Sequence, residues 1–226
     1  MTLLQKCQAL IKNNLHALLL IVYLLAGLHF QYLQDHVVRK YEIACALDKH
    51  IPFVSAFVIP YILWAGYIAI TLGVFCFKDK PEFMRLCSAI CVGMYVSFFF
   101  YWFWPHGQIL RPEIPVLEAG NIFDQTVAHL YKIDTPDEPT NCAPSIHVLN
   151  AMAVNFSIWR SSFTAKWPWV RWSSSVLMIS IVLSTVLIKQ HSILDVFMGI
   201  ALAYLLQGVF YMINWQRLLP KRRARA

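Results

Sequence analysis

Four side chains able to handle a phosphate group stand at the ends of apolar stretches in this chain. Lys189-Gln190-His191-Ser192-Ile193-Leu194-Asp195 sets a histidine and a carboxylate four positions apart. On a helix that spacing puts both on one face, so Asp195 can hold one ring nitrogen of His191 while the other faces a substrate. Pro144-Ser145-Ile146-His147 opens another apolar segment, and Arg111-Pro112 follows a third. An ionisable residue at membrane depth is expensive, which marks its position as functional. Two histidines, a carboxylate and an arginine beside hydrophobic helices point to phosphoryl chemistry at a membrane surface.

The elements that must position these residues follow from composition. Of 226 residues 58% are hydrophobic and 14% charged, far from the balance of a soluble domain. The apolar residues fall in long uncharged runs, each able to hold the roughly 17–25 residues that cross a bilayer. Six spans result, at 15–32, 53–77, 86–104, 143–159, 172–188 and 192–215, the fifth bounded most tightly. No segment alternates with period two, which excludes a membrane barrel. The expected fold is an all-α membrane protein, one bundle of six transmembrane helices. A loop at 105–142 joins the third and fourth, and its apolar patches predict short interfacial helices beside the site. The aromatic run 98–104 reads as an interfacial belt.

Lysine and arginine fall unevenly on the two sides, thirteen against six, with the richer side holding both termini and the basic tail 217–226. Both termini are therefore expected in the cytoplasm, and Arg111, His147 and His191 at the outer face. The net charge of +7 is then a topology signal, not a mark of nucleic-acid binding. The first run lacks a small-residue cleavage site and reads as an uncleaved span rather than a signal peptide. Cys87 and Cys91, one turn apart, suit buried packing, whereas Cys45 and Cys142 fall in outer loops where they could pair. His16 and His29 read as packing residues, and His36, His50 and His129 as loop residues.

Arg111-Pro112, Pro144-Ser145-Ile146-His147, and Ser184 with His191 and Asp195 together resemble the three signatures of the type 2 phosphatidic acid phosphatases, which share a fold with vanadium haloperoxidases. Those signatures run Lys-x6-Arg-Pro, Pro-Ser-Gly-His and Ser-Arg-x5-His-x3-Asp. Asp134-Thr135-Pro136, Asn141 and the Pro-Ser-Ile-His run further resemble a bacterial branch grouped with inositol phosphorylceramide synthases. Three positions depart: Trp104 stands for the first lysine, Ile146 for the glycine and Thr185 for the arginine. Lys189 and His106 are the nearest substitutes for the two missing cations.

The resemblance implies His191 as nucleophile and His147 as general acid and then base, while the His-x3-Asp spacing independently assigns Asp195 to orient His191. Arg111 suits a bidentate phosphate clamp. Ser145 and Ile146, at a helix start, offer backbone N–H groups to the same anion, with Lys189 and Ser184 as further candidates. No carboxylate cluster is present to hold magnesium, so catalysis without metal or other cofactor is expected. The expected activity is hydrolysis of a lipid phosphomonoester (phosphatidate, phosphatidylglycerophosphate or a polyprenyl pyrophosphate) at the outer face of a bacterial-type cytoplasmic membrane. The alternatives are phosphotransfer to an alcohol and a non-catalytic lipid-binding or lipid-moving protein on the same fold.

Overall fold

The computed structural model describes residues 14–134 and 139–214. The expected tail at 217–226 lies outside the described residues. Eight α-helices carry the described chain: α1 (Leu19–His36), α2 (Val58–Lys78), α3 (Lys80–Phe103), α4 (Ile114–Glu118), α5 (Ile122–Asp134), α6 (Ile146–Arg160), α7 (Pro168–Leu187) and α8 (Ile193–Met212). The only strands among the described residues are two-residue pieces, β1 (Tyr41–Glu42) and β2 (His106–Gly107), paired in parallel. This is an all-α membrane protein. Five helical segments are long and apolar enough to cross a bilayer: Leu15–His36, Ser55–Lys78, Lys80–Phe103, Pro168–Leu187 and Ile193–Phe210.

The fourth expected span is the short one. α6 has 15 residues, and at about 1.5 Å per residue it falls short of a hydrocarbon core some 30 Å thick. Its brevity suits its place. Eleven of its residues are buried, and it packs against α2, α3, α7 and α8 as the central post of the bundle. α1 is the opposite case, buried only at Ala26 and Leu33 and packed mainly on α3. Its Ile21, Leu24, Leu25 and Leu28 sides are exposed, as expected where lipid tails replace water. The tightly bounded fifth span gains a turn because Pro168 opens α7 four residues earlier than the charge limits suggest, giving 20 residues.

Charge limits also cut the third span short. α3 starts at Lys80, where the Asp79 side chain accepts the Glu82 N–H at 3.3 Å. Glu82 and Arg85 lie inside the helix because they are paired: Glu82 meets Arg85 at 2.5 Å and Arg160 of α6 at 3.0 Å. The Ser161 hydroxyl donates to Asp79 at 2.5 Å beside them. This ion cluster ties α3 to α6 at the end of the bundle opposite the two histidines. Within the bundle, Tyr67 of α2, Ser174 of α7 and Asn155 of α6 form a buried hydrogen-bonded chain, Tyr67 to Ser174 at 2.5 Å and Ser174 to Asn155 at 2.8 Å.

The loop between α3 and α6 carries the expected short helices, α4 and α5. Val127, Ala128 and Tyr131 form the buried face of α5, packed on Val58 and Tyr61 of α2 and on Ile188.

Candidate active site

α6 and α8 begin at the same end of the bundle, and their first turns build the site. Ser145 caps α6, its Oγ accepting the Val148 N–H at 3.4 Å. Ser192 caps α8 in a capping box, with its Oγ accepting the Leu194 N–H and Asp195 Oδ2 accepting the Ser192 N–H at 2.9 Å. The two starts are joined directly, since the Ser145 N–H donates to the Asp195 carbonyl at 3.2 Å. Gly199 permits this closeness. A Cβ there would lie 2.9 Å from the Ser145 carbonyl oxygen and 3.0 Å from Val148 Cβ.

Within this frame Asp195 Oδ2 accepts from His191 Nδ1 at 3.2 Å, as the four-residue spacing implies. A carboxylate partner fixes the ring proton on Nδ1 and leaves Nε2 with its lone pair. Nε2 lies 3.2 Å from Ser145 Oγ and 3.4 Å from His147 Nδ1. Asp195 is fully buried, and its second oxygen, Oδ1, has no hydrogen-bond partner. His147 packs against two aromatic rings of α2, Tyr61 at 4.7 Å and Trp64 at 4.2 Å between centroids. These rings, one turn apart, were invisible as site residues in an uncharged run.

Arg111 is placed by α5. Its guanidinium lies 4.2 Å over the Tyr131 ring, and Nη2 donates to Gln190 Oε1, next to His191. The Tyr131 hydroxyl donates to the Ile188 carbonyl, so α5 grips the turn before His191 as well. The remaining expected phosphate ligands are placed otherwise. Lys189 adopts φ 54°, and its ammonium donates to the carbonyls of Asp48 at 3.0 Å and Ile51 at 2.5 Å. Burial lowers its pKa, opposed by the Asp48 charge. The Ser184 hydroxyl donates to the Ile181 carbonyl one turn back, at 2.6 Å. The Ile146 side chain packs into the main apolar core. His106 is fully buried in the backbone network: Nδ1 donates to the Trp104 carbonyl at 2.5 Å, and Nε2 accepts the Ala143 N–H at 2.6 Å. That arrangement requires a neutral ring, and burial lowers its pKa accordingly.

One site residue lies far from any motif. Asp48, in the loop between α1 and α2, is buried and sits at the start of α8. Its Oδ1 accepts the Ile193 N–H at 2.8 Å, and its Oδ2 accepts the Ser192 hydroxyl and the Cys45 N–H, each at 2.7 Å. Burial pushes its pKa up, and these hydrogen bonds outweigh that and leave it lowered. Gln108 completes the brace by donating to the Lys189 carbonyl at 2.7 Å. No sequence signal distinguishes Asp48 from an ordinary loop carboxylate.

Residues 139–142 strap the mouth of the site. Asn141, at φ 56°, donates from its side chain to Gln34 of α1 at 2.9 Å. The cavity that His147, His191 and Cys142 help to line has a volume near 20 Å³, enough for about one water. Cys45 and Cys142 are not joined in a disulfide. Cys142 instead brings its sulfur within 4.8 Å of ligand atoms of His191 and Asp195.

Fold and site together define an all-α membrane protein with paired histidines and a buried carboxylate at one end of its bundle. The sequence profile of the PAP2 superfamily matches residues 82–219, more than half of the chain, and the chain belongs to that superfamily. Membership gives it a phosphatase-type hydrolase or a related phosphoryl-transfer activity. No curated protein and no solved structure matches it significantly.

Proposed function

We propose that the protein is a lipid phosphate phosphatase that works through a phosphohistidine. One observation carries this reading: His191 has its Nδ1 on a buried carboxylate and its Nε2 directed at Ser145 and His147. A phosphomonoester repels nucleophiles until its charge is neutralised, and the Arg111 fork with the Ile146 and His147 amides would supply that neutralisation, the Ser145 N–H being taken by the Asp195 carbonyl. Nε2 then forms a bond to phosphorus as the phosphorus–oxygen bond to the lipid breaks. Asp195 offsets the positive charge on the ring, and His147 gives its proton to the departing alkoxide. In the second half His147 takes a proton from water, the water oxygen bonds to phosphorus, and the nitrogen–phosphorus bond breaks to release inorganic phosphate.

The lipid part of the reading rests on α2. Tyr61 stacks on His147 with Trp64 tilted against it, and Phe57, Pro60 and Leu63 of the same segment line an apolar groove of about 650 Å³ shared with Trp172, Val176 and Leu177. A phosphate head at His191 and an acyl chain along this groove are served by one helix. With the basic termini inside, the site faces outward, and a bacterial cytoplasmic membrane is the setting that suits the resemblance.

The test is phosphate release from a panel of lipid phosphomonoesters by detergent-purified protein in EDTA, with His191→Ala alongside. Release by the wild type and none by the variant is the expected result, with inhibition by vanadate, which adopts the five-coordinate geometry of the transition state. Near-normal release by His191→Ala would falsify the mechanism. Phosphate appearing on an added alcohol at the expense of free phosphate would make the enzyme a transferase instead.

A further inference from the structure

We propose that Cys142, His191 and Asp195 form a binding site for a borderline-soft divalent cation, zinc being the type, and that the bound ion silences the site. One ligand atom from each residue lies within 4.8 Å of the other two, and all three residues are buried. Bond lengths of 2.0–2.3 Å put neighbouring ligands of tetrahedral zinc about 3.3–3.8 Å apart, so the three must close by roughly 1 Å. His191 Nδ1 and Asp195 Oδ2 already lie 3.2 Å apart, so the closure falls to the Cys142 side chain.

A second observation points to a cation independently. Asp195 Oδ2 already accepts from Ser192 and His191, whereas Oδ1 is buried with no partner. A buried carboxylate oxygen without a donor is costly, and a metal ion is a group that completes it. The Ser192 N–H on Oδ2 would then orient the ligating carboxylate, and the His106 contact to the Ala143 N–H steadies the backbone beside Cys142. A thiolate, an imidazole and a carboxylate select zinc or cobalt over magnesium and calcium, which prefer oxygen throughout.

Proton and charge balance. The Cys142 thiol releases its proton to solvent on binding, and the thiolate and carboxylate together neutralise the dication. Coordination through His191 Nε2 occupies the lone pair that attacks phosphorus. Coordination through Nδ1 moves the ring proton to Nε2. Either way the ring cannot attack, a consequence that rests on His191 being the nucleophile as proposed above.

Cobalt(II) reports the site without any need for turnover. Full-length protein stripped with EDTA and titrated with cobalt should show a thiolate-to-metal charge-transfer band that saturates at one equivalent and is displaced by zinc. Cys142→Ser and Cys142→Ala should lose the band, whereas Cys45→Ser should keep it. In parallel, zinc should inhibit phosphate release reversibly with EDTA. Relative to each protein's own zinc-free rate, the Cys142 variants should need at least tenfold more zinc. No band in the wild type, or a band that survives both Cys142 variants, overturns the site. A normal band in a protein that never releases phosphate overturns the proposed function and leaves the metal site standing.

Discussion

Replacing Asp195 with asparagine isolates what the carboxylate charge contributes to the site. Oδ2 alone makes both hydrogen bonds, to the Ser192 N–H at 2.9 Å and to His191 Nδ1 at 3.2 Å, and Oδ1 makes none. An asparagine oxygen in the Oδ2 position therefore keeps both bonds and the ring tautomer. Its NH2 replaces an oxygen that was itself buried without a partner, so no new unsatisfied group is created and stability should change little. What is lost is the negative charge facing a ring that becomes positive. At 3.2 Å the interaction is about 5 kcal/mol for an effective dielectric near 20, and about 1 kcal/mol in water. For a fully buried carboxylate the upper part of that range applies, roughly 3–5 kcal/mol. At about 1.4 kcal/mol per decade, Asp195→Asn should lower kcat by about 10²–10⁴. Single-turnover phosphate release, with thermal unfolding in the same detergent to correct for stability, measures it. A well-folded variant within threefold of the wild-type rate would refute the orienting role and the charged intermediate together.

Other substitutions probe the supports around this pair. Arg111→Lys keeps a charge but loses the planar fork and the stack on Tyr131, so KM should rise about tenfold or more with a smaller change in kcat; steady-state kinetics decides. Gly199→Ala drives a Cβ into the Ser145 carbonyl, a backbone atom that cannot yield. It should cost about 1–3 kcal/mol in stability and lower kcat, whereas Gly208→Ala, with nothing near its added Cβ, should do neither. Asp48→Asn should lower the unfolding midpoint and slow turnover, by weakening a charge-assisted cap worth about 1–2 kcal/mol at the start of α8. Since the folded pKa of Asp48 lies below its unfolded value, its stabilisation is complete above the ordinary carboxylate pKa and fades as pH falls through the folded one. Acid titration of the wild-type midpoint should therefore be steeper than that of Asp48→Asn.

The spans were readable because the bilayer admits few charges, so uncharged runs mark their limits. That rule fails where charges pair inside the bundle. Glu82 and Arg85 belong to α3, but their partner Arg160 comes from α6, and nothing in the local sequence announces the triad. The His191–Asp195 pair was readable because both members sit in one short segment whose helical geometry fixes their relation. Lys189, two residues earlier, shows the limit of the same logic. Its type suits an anion, yet a left-handed backbone at the end of α7 sends its ammonium to the carbonyls of another loop. Tyr61 and Trp64 carry no signal at all, because an aromatic residue in an apolar run looks the same whether it meets lipid or a histidine.

The residues missed in this way share a location that explains why. The superfamily match starts at residue 82, whereas Asp48, Tyr61 and Trp64 all precede it. The matched part holds both histidines, Asp195 and Arg111, the groups that would act on a phosphate in the proposed mechanism. The preceding part supplies the rings that flank His147 and the carboxylate that caps α8. It also supplies one wall of the apolar groove. On the proposed mechanism phosphoryl chemistry would depend on the first set, while the second would shape what surrounds the phosphate and brace the turn carrying His191. Substrate preference in this protein should accordingly respond more to changes in α2 than to changes among Arg111, Ser145 and Lys189. Exchanging Phe57 and Leu63 for alanine should shift the ranking of acyl-chain lengths while leaving hydrolysis of a short-chain phosphomonoester within about threefold of wild type. If short and long chains lost activity equally, the groove would have no part in holding the lipid.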